Sequence, residues 1–390
     1  MLTSLAYLLI VGLSLGFVFN KLHLPALIGM LAAGLILGPS GLNLLDESLL
    51  SISIELRQIA LVVILLRAGL ALNLADLRQV GRPAIMLCFV PACFEIAGVM
   101  LLAPWLLGVS LLEAAIMGAV VAAVSPAVIV PKMLSLMERQ RGTSKGIPQM
   151  IMAGGSVDDV FVIVLFTAFT TLAMGGQVSA TAALDIPLSI ILGALLGFVS
   201  GFGFSEYFKR FCTRDSIKIL VLLSLAFLFL ALEHWAKGMV AISGLLGVMV
   251  MGITILWRYP ILAKRLSPKL NKVWVGAEVM LFVLVGASVD ITYALSAGAL
   301  AIALILLSLL FRMSGVFASM SFSPLTMRER LFCMIAYTPK ATVQAAIGSL
   351  PLAMGLPCGE IVLTVAVLSI LITAPLGAFG IDMTSERLLK

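Results

Sequence analysis

Charge is the scarcest property of this sequence. Only 11% of its 390 residues are Asp, Glu, Lys or Arg, 62% are apolar, and there are 2 histidines. A soluble domain carries about one quarter charged residues and about half apolar ones, so the water-soluble classes are excluded. The Gly-X-Y period of collagen and the polar tracts of disordered chains are missing too. The 5 cysteines are scattered over the whole length. No pair has metal or redox spacing, and Cys88, Cys93 and Cys333 sit inside apolar runs. All five therefore read as small apolar residues, and a disulfide scaffold is excluded. The N-terminus lacks the basic region and small-residue cleavage site of a signal peptide and reads as a retained span. The excess of 25 basic over 19 acidic residues, a net charge of +6, reports membrane topology before nucleic acid, and no nucleic-acid partner is expected. What remains is an all-α integral membrane protein of many spans.

A helix needs about 20 apolar residues to cross the hydrocarbon. Runs of that kind lie near 2–19, 24–43, 54–75, 83–104, 110–134, 147–173, 185–206, 217–234, 239–257, 270–290, 294–319, 327–350 and 359–380, thirteen in all. Only Glu233, His234 and Lys237 mark off the pair around 217–257. With residue 1 outside, the inner loops take all but five of the 25 basic residues. Arg57 and Lys237 fall in outer segments, and Arg67, Arg312 and Lys340 fall within spans. This is the bias of the positive-inside rule, and an even number of spans would break it. Trp105, Trp235, Trp257 and Trp274 fall at helix ends, where interfacial anchors belong. The expectation is thirteen spans in a plasma or inner membrane, N-terminus outside and C-terminus cytoplasmic.

Seven charges lie deep in these spans: Glu95, Asp158, Asp159 and Glu278 against Arg67, Arg312 and Lys340. Each costs on the order of 3 kcal/mol on an insertion scale, so seven unpaired would cost roughly 20. They must face protein or water, and most must pair. Four acids against three bases leave one carboxylate over, and such a carboxylate is a site for a cation or a proton. A single buried ion pair is most often structural, and Arg67 and Glu278 are read that way. Asp158 and Asp159 are not, because neighbouring carboxylates repel. Two stretches also break helix rules. One runs through Val124, Ser125 and Pro126, the other through Pro339, Lys340 and Thr342. Proline removes a backbone hydrogen bond, and the freed carbonyls must be satisfied inside protein or by an ion. One such kink means little. These two lie seven spans apart, in helices of opposite direction, which marks an inverted-topology repeat with an ion site at its broken helices.

In these residues the chain resembles the monovalent cation:proton antiporters, in particular the two-aspartate branch that includes bacterial and animal sodium/proton exchangers. The resemblance covers essentially the whole length. It rests on LPALIGMLAAGLILGPSGLN (24–43), LLRAGLALNL (65–74), AAVSPAVIVP (122–131), GGSVDDVFVIVLFTAF (154–169), VWVGAEVMLFVLVGASVD (273–290) and PKATVQAAIG (339–348). The glycine-rich second span alone is a weak signal; the DD and PKAT motifs in their spans are strong. The resemblance implies a core domain of spans 4–6 and 11–13, about 83–173 and 294–380, holding two crossed broken helices. It implies a dimerisation domain of spans 1–3 and 8–10, about 1–75 and 217–290, with span 7, about 185–206, as linker. A homodimer follows from the resemblance; a soluble regulatory domain, which some potassium-efflux relatives carry, is not expected, since few residues follow the last span. Asp159 matches the principal cation and proton carrier, with Asp158 beside it. Lys340 matches the basic residue that can pair with the aspartates in the ion-free state. Glu95 and Arg312 match a pair tying span 4 to span 11. Ser125 departs from the pattern: many electroneutral relatives have Thr-Asp-Pro at the break, where this chain has Val124-Ser125-Pro126. A possible third carboxylate is missing, and a relative's stoichiometry does not transfer.

Sodium is a hard cation and takes oxygen ligands. The candidates are the Asp158 and Asp159 carboxylates, carbonyls freed near Val124, and the hydroxyls of Ser125 and Ser156. Residues 158 and 159 point about 100° apart on a helix, so one can face the crossing while the other lines the entrance. The expected function is antiport of Na+ (or Li+ or K+) against H+ by alternating access, serving pH homeostasis, with both ions competing for one site. No covalent step, enzyme activity or cofactor is needed. An intramembrane aspartyl protease would need its two aspartates on different helices, and a channel would need a continuous polar path. A same-fold sodium-coupled symporter of an organic anion is the serious alternative, and it would be expected to lack the aspartate pair.

Overall fold

The computed structural model describes residues 1–22, 24–71, 81–174, 180–211, 213–236 and 242–389, with the side chains of Ser156, Val160, 180–187 and 291–297 outside that set. Lys237 and the Ser156 side chain, both singled out above, therefore lie outside the described residues. In chain order the helices are α1 (Leu2–Lys21), α2 (Ala26–Leu37), α3 (Ser53–Ala71), α4 (Val90–Leu107), α5 (Leu111–Val121), α6 (Pro126–Glu138), α7 (Ile147–Met174) and α8 (Ala180–Arg210). They continue as α9 (Asp215–Ala236), α10 (Gly244–Arg258), α11 (Pro260–Ala287), α12 (Ile291–Ser319), α13 (Met327–Ala336), α14 (Thr342–Ile347) and α15 (Gly359–Leu388). No strand occurs among the described residues.

Helix falls in each of the thirteen predicted stretches, but the lengths do not make thirteen full spans. Among the described residues, 9 helices are long and apolar enough to cross a membrane, counting α5 and α6 as one. The apolar stretches Ala26–Leu37, Gly244–Arg258 and Thr342–Ala353 are shorter. Helix α3 carries Glu55, Arg57 and Arg67 along its length. The apolar runs read from sequence include loop residues that are as apolar as the helices, and hydropathy does not separate the two.

The chain divides into two compact units, Met1–Ser53, Asn73–Phe169 and Leu281–Lys390 in the first, Ile54–Leu72 and Thr170–Met280 in the second. Both rely on glycine for close helix approach, as membrane helices do where apolar side chains gain little from leaving lipid. In the second unit Gly193, Gly197 and Gly201 recur every four residues on α8; a Cβ at the first would collide with Ser243, which caps α10, and one at either of the others with α10 itself. In the first unit Gly98 of α4 meets the Phe311 ring of α12, while Gly315 of α12 meets Pro91 and Phe94 of α4. That reciprocal fit sets the register of α4 against α12 and brings Glu95 opposite Ser308 and Arg312.

The two broken helices start alike. Ser110 and Glu113 cap α5 reciprocally, at 3.3 and 2.8 Å, and Thr326 and Glu329 cap α13 at 3.4 and 2.6 Å. Helix then stops at Val121 and at Ala336. It resumes at Pro126, where the missing proline N–H costs nothing, and at Thr342. The breaks touch: the Ser125 N–H donates to the Pro339 carbonyl at 2.8 Å.

Candidate ion-binding site

Arg312 is fully buried and joins four parts of the first unit. One terminal nitrogen donates to Glu95 on α4 at 3.1 Å and to the Ala122 carbonyl at the first break. The other donates to Asp158 on α7 at 2.8 Å, and Nε donates to the Tyr337 carbonyl at the second break at 2.7 Å. Its guanidinium also stacks over the Tyr337 ring, 5.4 Å from the centroid. A planar fork of five donors serves these four acceptors at once, one more than the three donors of a lysine could. Lys340, also fully buried, pairs with Glu95 at 2.7 Å and donates to the Val121 carbonyl. Ser308 gives Glu95 a further hydrogen bond at 3.2 Å. Two carboxylates and two cations, Glu95 and Asp158 with Arg312 and Lys340, thus form a balanced network.

The adjacent aspartates differ. Asp158 Oδ2 accepts from Arg312 and, at 2.9 Å, from the Val124 N–H. Gly154 and Gly155 allow this approach, since a Cβ at the first would strike Tyr337 and Leu87 and one at the second would press on Val124. Asp159 is only 7% exposed and has no hydrogen-bond or ion-pair partner among the described residues. The spare carboxylate expected from charge counting is therefore Asp159. Further buried oxygens in the same segments lack a donor: Asp158 Oδ1, Ser125 Oγ and Thr342 Oγ1. Buried oxygens are rarely left without a donor, and a set of them on neighbouring elements suits a cation stripped of water.

The transmembrane sodium/hydrogen exchanger family model matches residues 5–386. The chain belongs to the sodium/hydrogen exchanger family. Among its relatives, sodium/hydrogen exchanger 9B2 of Mus musculus is 34% identical over 388 residues, covering 94% of this exchanger and 69% of the mouse protein. The Homo sapiens 9B2 protein is also 34% identical, over 386 residues, with 94% and 70% covered. The structure of the sodium proton antiporter MjNhaP1 from Methanocaldococcus jannaschii at pH 8 superposes with a TM-score of 0.85 at 20% identity, over 98% of this exchanger and 97% of that chain. That likeness establishes the fold, an all-α multi-pass membrane fold.

The exchanger differs from its sequence reading in two respects. Lys340 pairs with Glu95, not with the aspartates, and Arg312 holds Asp158 instead, because its fork reaches Glu95 and Asp158 together. The carbonyls freed at the first break are also not open to an ion from Val121 to Ala123. Lys340 and Gln344 take Val121, Arg312 takes Ala122, and Gln344 takes Ala123. Pro126 begins α6 and Pro339 packs on Gly377 of α15. Arg67 and Glu278 belong to the second unit, where Arg67 lies over the Trp274 ring at 5.6 Å and attracts Glu278. Sequence reasoning missed Gln344, Thr373 and the Tyr337 carbonyl. Gln344 had a signal, a lone amide one helical turn after Lys340 in an apolar run. Thr373, which accepts the Lys340 N–H at 3.0 Å, looked like any hydroxyl, and a backbone carbonyl leaves no trace in sequence.

Proposed function

We infer that this chain is a secondary antiporter that exchanges Na+, or another monovalent cation, for H+ by alternating access, with both ions competing for the Asp158/Asp159 pair. Asp159 carries the reading. It is buried and unpartnered beside a network in which Glu95 and Asp158 are already balanced by Arg312 and Lys340. A bare carboxylate in a low-dielectric interior is costly, so a cation or a proton occupies it whenever the site is closed to water. One Na+ and one H+ neutralise it equally. With Lys340 keeping its proton, the loaded site has the same charge with either ion, and one-for-one exchange moves no net charge. Ser125 and Thr342 would supply further oxygens to a hard cation.

The relatives' names, sodium/hydrogen exchanger and sodium proton antiporter, support the same substrates, and nothing favours the organic-anion symporter. In this reading the helices of about 83–173 and 294–380 move as the core against those of about 1–75 and 217–290. The protein is a homodimer of the cell membrane with its N-terminus outside, and it serves pH homeostasis.

The test is the pH dependence of cation affinity in proteoliposomes carrying a pH-sensitive dye. Below the site's pKa, each tenfold rise in proton activity weakens apparent Na+ affinity up to tenfold, about 1.4 kcal/mol per pH unit; above it the affinity is flat. That pKa belongs to the coupled pair, not to either aspartate. A Na+ affinity constant from about pH 5 to about pH 9 would mean separate sites for the two ions and would end the reading.

A further inference from the structure

The carbonyls of the first break are held by three side chains, all from the later part of the sequence. Arg312 bonds Ala122, Lys340 bonds Val121, and the Gln344 amide bonds Val121 at 3.3 Å and Ala123 at 2.7 Å. Two of these three are ionised members of the network with Glu95 and Asp158. When the aspartate pair gains or loses a cation or a proton, the field on Arg312 and Lys340 changes, and their hold on the carbonyls changes with it. Gln344 has no charge to respond with. Its orientation is fixed by what it touches, because two carbonyl oxygens can accept only from its NH2 group. Oε1 must then point away from them, and it is buried without a donor. Gln344 itself is 1% exposed.

We propose that Gln344 is a positioning and selectivity residue: a charge-independent clip that keeps the first break's backbone in one geometry throughout the exchange cycle. This rests on the exchange reading above. The Ala123 carbonyl it holds lies beside Val124, whose N–H fixes Asp158, and two residues before Ser125, whose hydroxyl has no donor. Holding Val121 and Ala123 also withdraws two adaptable backbone oxygens from the cation. What remains is a shell of side-chain oxygens on a fixed frame, and a stiff shell discriminates between small and large cations better than one that can adjust. The charged groups around the clip are Glu95 from α4, Asp158 from α7, Arg312 from α12 and Lys340 from the second break. Asp159 stands next to Asp158, and on α5 and α15 the charged residues lie towards the helix ends, Glu113 on the first and Glu360, Asp382, Glu386 and Arg387 on the second.

Two substitutions test this in proteoliposomes, with Na+ and K+ KM and maximal rate measured against pH. Gln344→Met keeps the length and removes both donors. Gln344→Glu can donate to Ala123 only while protonated. In Gln344→Met the KM for Na+ should rise roughly tenfold at a near-normal maximal rate, the cost of two buried hydrogen bonds, and the preference for Na+ over K+ should narrow. Gln344→Glu should resemble Gln344→Met at high pH, and its KM ratio to wild type should fall towards one as the pH is lowered. A packing role would move neither the ion preference nor the pH profile. Wild-type KM values and ion preference in Gln344→Met overturn the proposal. If Gln344→Met does not fold, a KM ratio in Gln344→Glu that is constant with pH overturns it. A wild type that exchanges no cation for protons would instead remove the site reading itself.

Discussion

At the first break the Val124 N–H donates to Asp158 on the next long helix, 34 residues further on; at the second, the Lys340 N–H donates to Thr373 on α15, 33 residues further on. Each broken helix begins with a hydroxyl–glutamate capping box, and each is preceded by a long helix carrying one charge of the same ion pair, Glu95 on α4 and Arg312 on α12. The frames correspond piece by piece. The chemistry does not. In the first half the acceptor is a carboxylate with a second oxygen to spare and another carboxylate, Asp159, next to it. In the second half the acceptor is a hydroxyl followed by Ala374 and Pro375. All three acids of the site, Glu95, Asp158 and Asp159, come from the first half, and both bases come from the second. A symmetric scaffold thus gives two matching backbone openings, and the sequence places the acids beside one and the bases beside the other; in the proposed function ion capture belongs to the first and countercharge to the second.

The strongest way to break this comparison is at Asp159. Asp159→Asn should abolish cation binding and exchange and leave thermal unfolding near wild type, since no partner is stranded. An Asp159→Asn protein that still exchanges would move the carrier role to Asp158. Next is Glu95, the acid shared by Arg312 and Lys340. Glu95→Ala leaves both short of an anion in a fully buried site and should cost about 3–5 kcal/mol, as for other broken buried pairs, read as a large drop in melting temperature in detergent. The smallest effect belongs to the hydroxyl side. Thr373→Val strands the Lys340 N–H and should cost about 1–3 kcal/mol, while Thr373→Ser should restore it and neither should change Na+ affinity. A lost Na+ affinity in Thr373→Val would mean that the second half also binds the ion.

Much of this could be read from the sequence because the bilayer makes mistakes expensive. Hydrocarbon demands long apolar runs, so helices are legible; buried charge is costly, so Glu95, Asp158, Asp159, Arg312 and Lys340 stand out, together with Arg67 and Glu278 of the second unit. Counting them also gave the one spare carboxylate. The partners were not legible. Whether Arg312 or Lys340 takes Asp158 depends on the reach of a guanidinium set by Gly98 and Gly315, contacts that carry no charge and no motif. The carbonyls of Val121, Ala122 and Ala123 are backbone atoms, present in every residue, and only the fold shows which of them are taken.

The Glu95–Arg312 pair joins residues 217 positions apart. Synthesis at about 5–20 residues per second separates the two by roughly 10–40 s. For that time α4 has already left the ribosome, and its glutamate has neither Arg312 nor Lys340 to neutralise it. Until α12 and α13 arrive Glu95 needs water or another neighbour, so the buried charge network closes only after the chain has been made past Lys340. A chain stalled before α12 should remain loosely inserted and sensitive to membrane proteases, and release of the stall should protect α4 and α12 together.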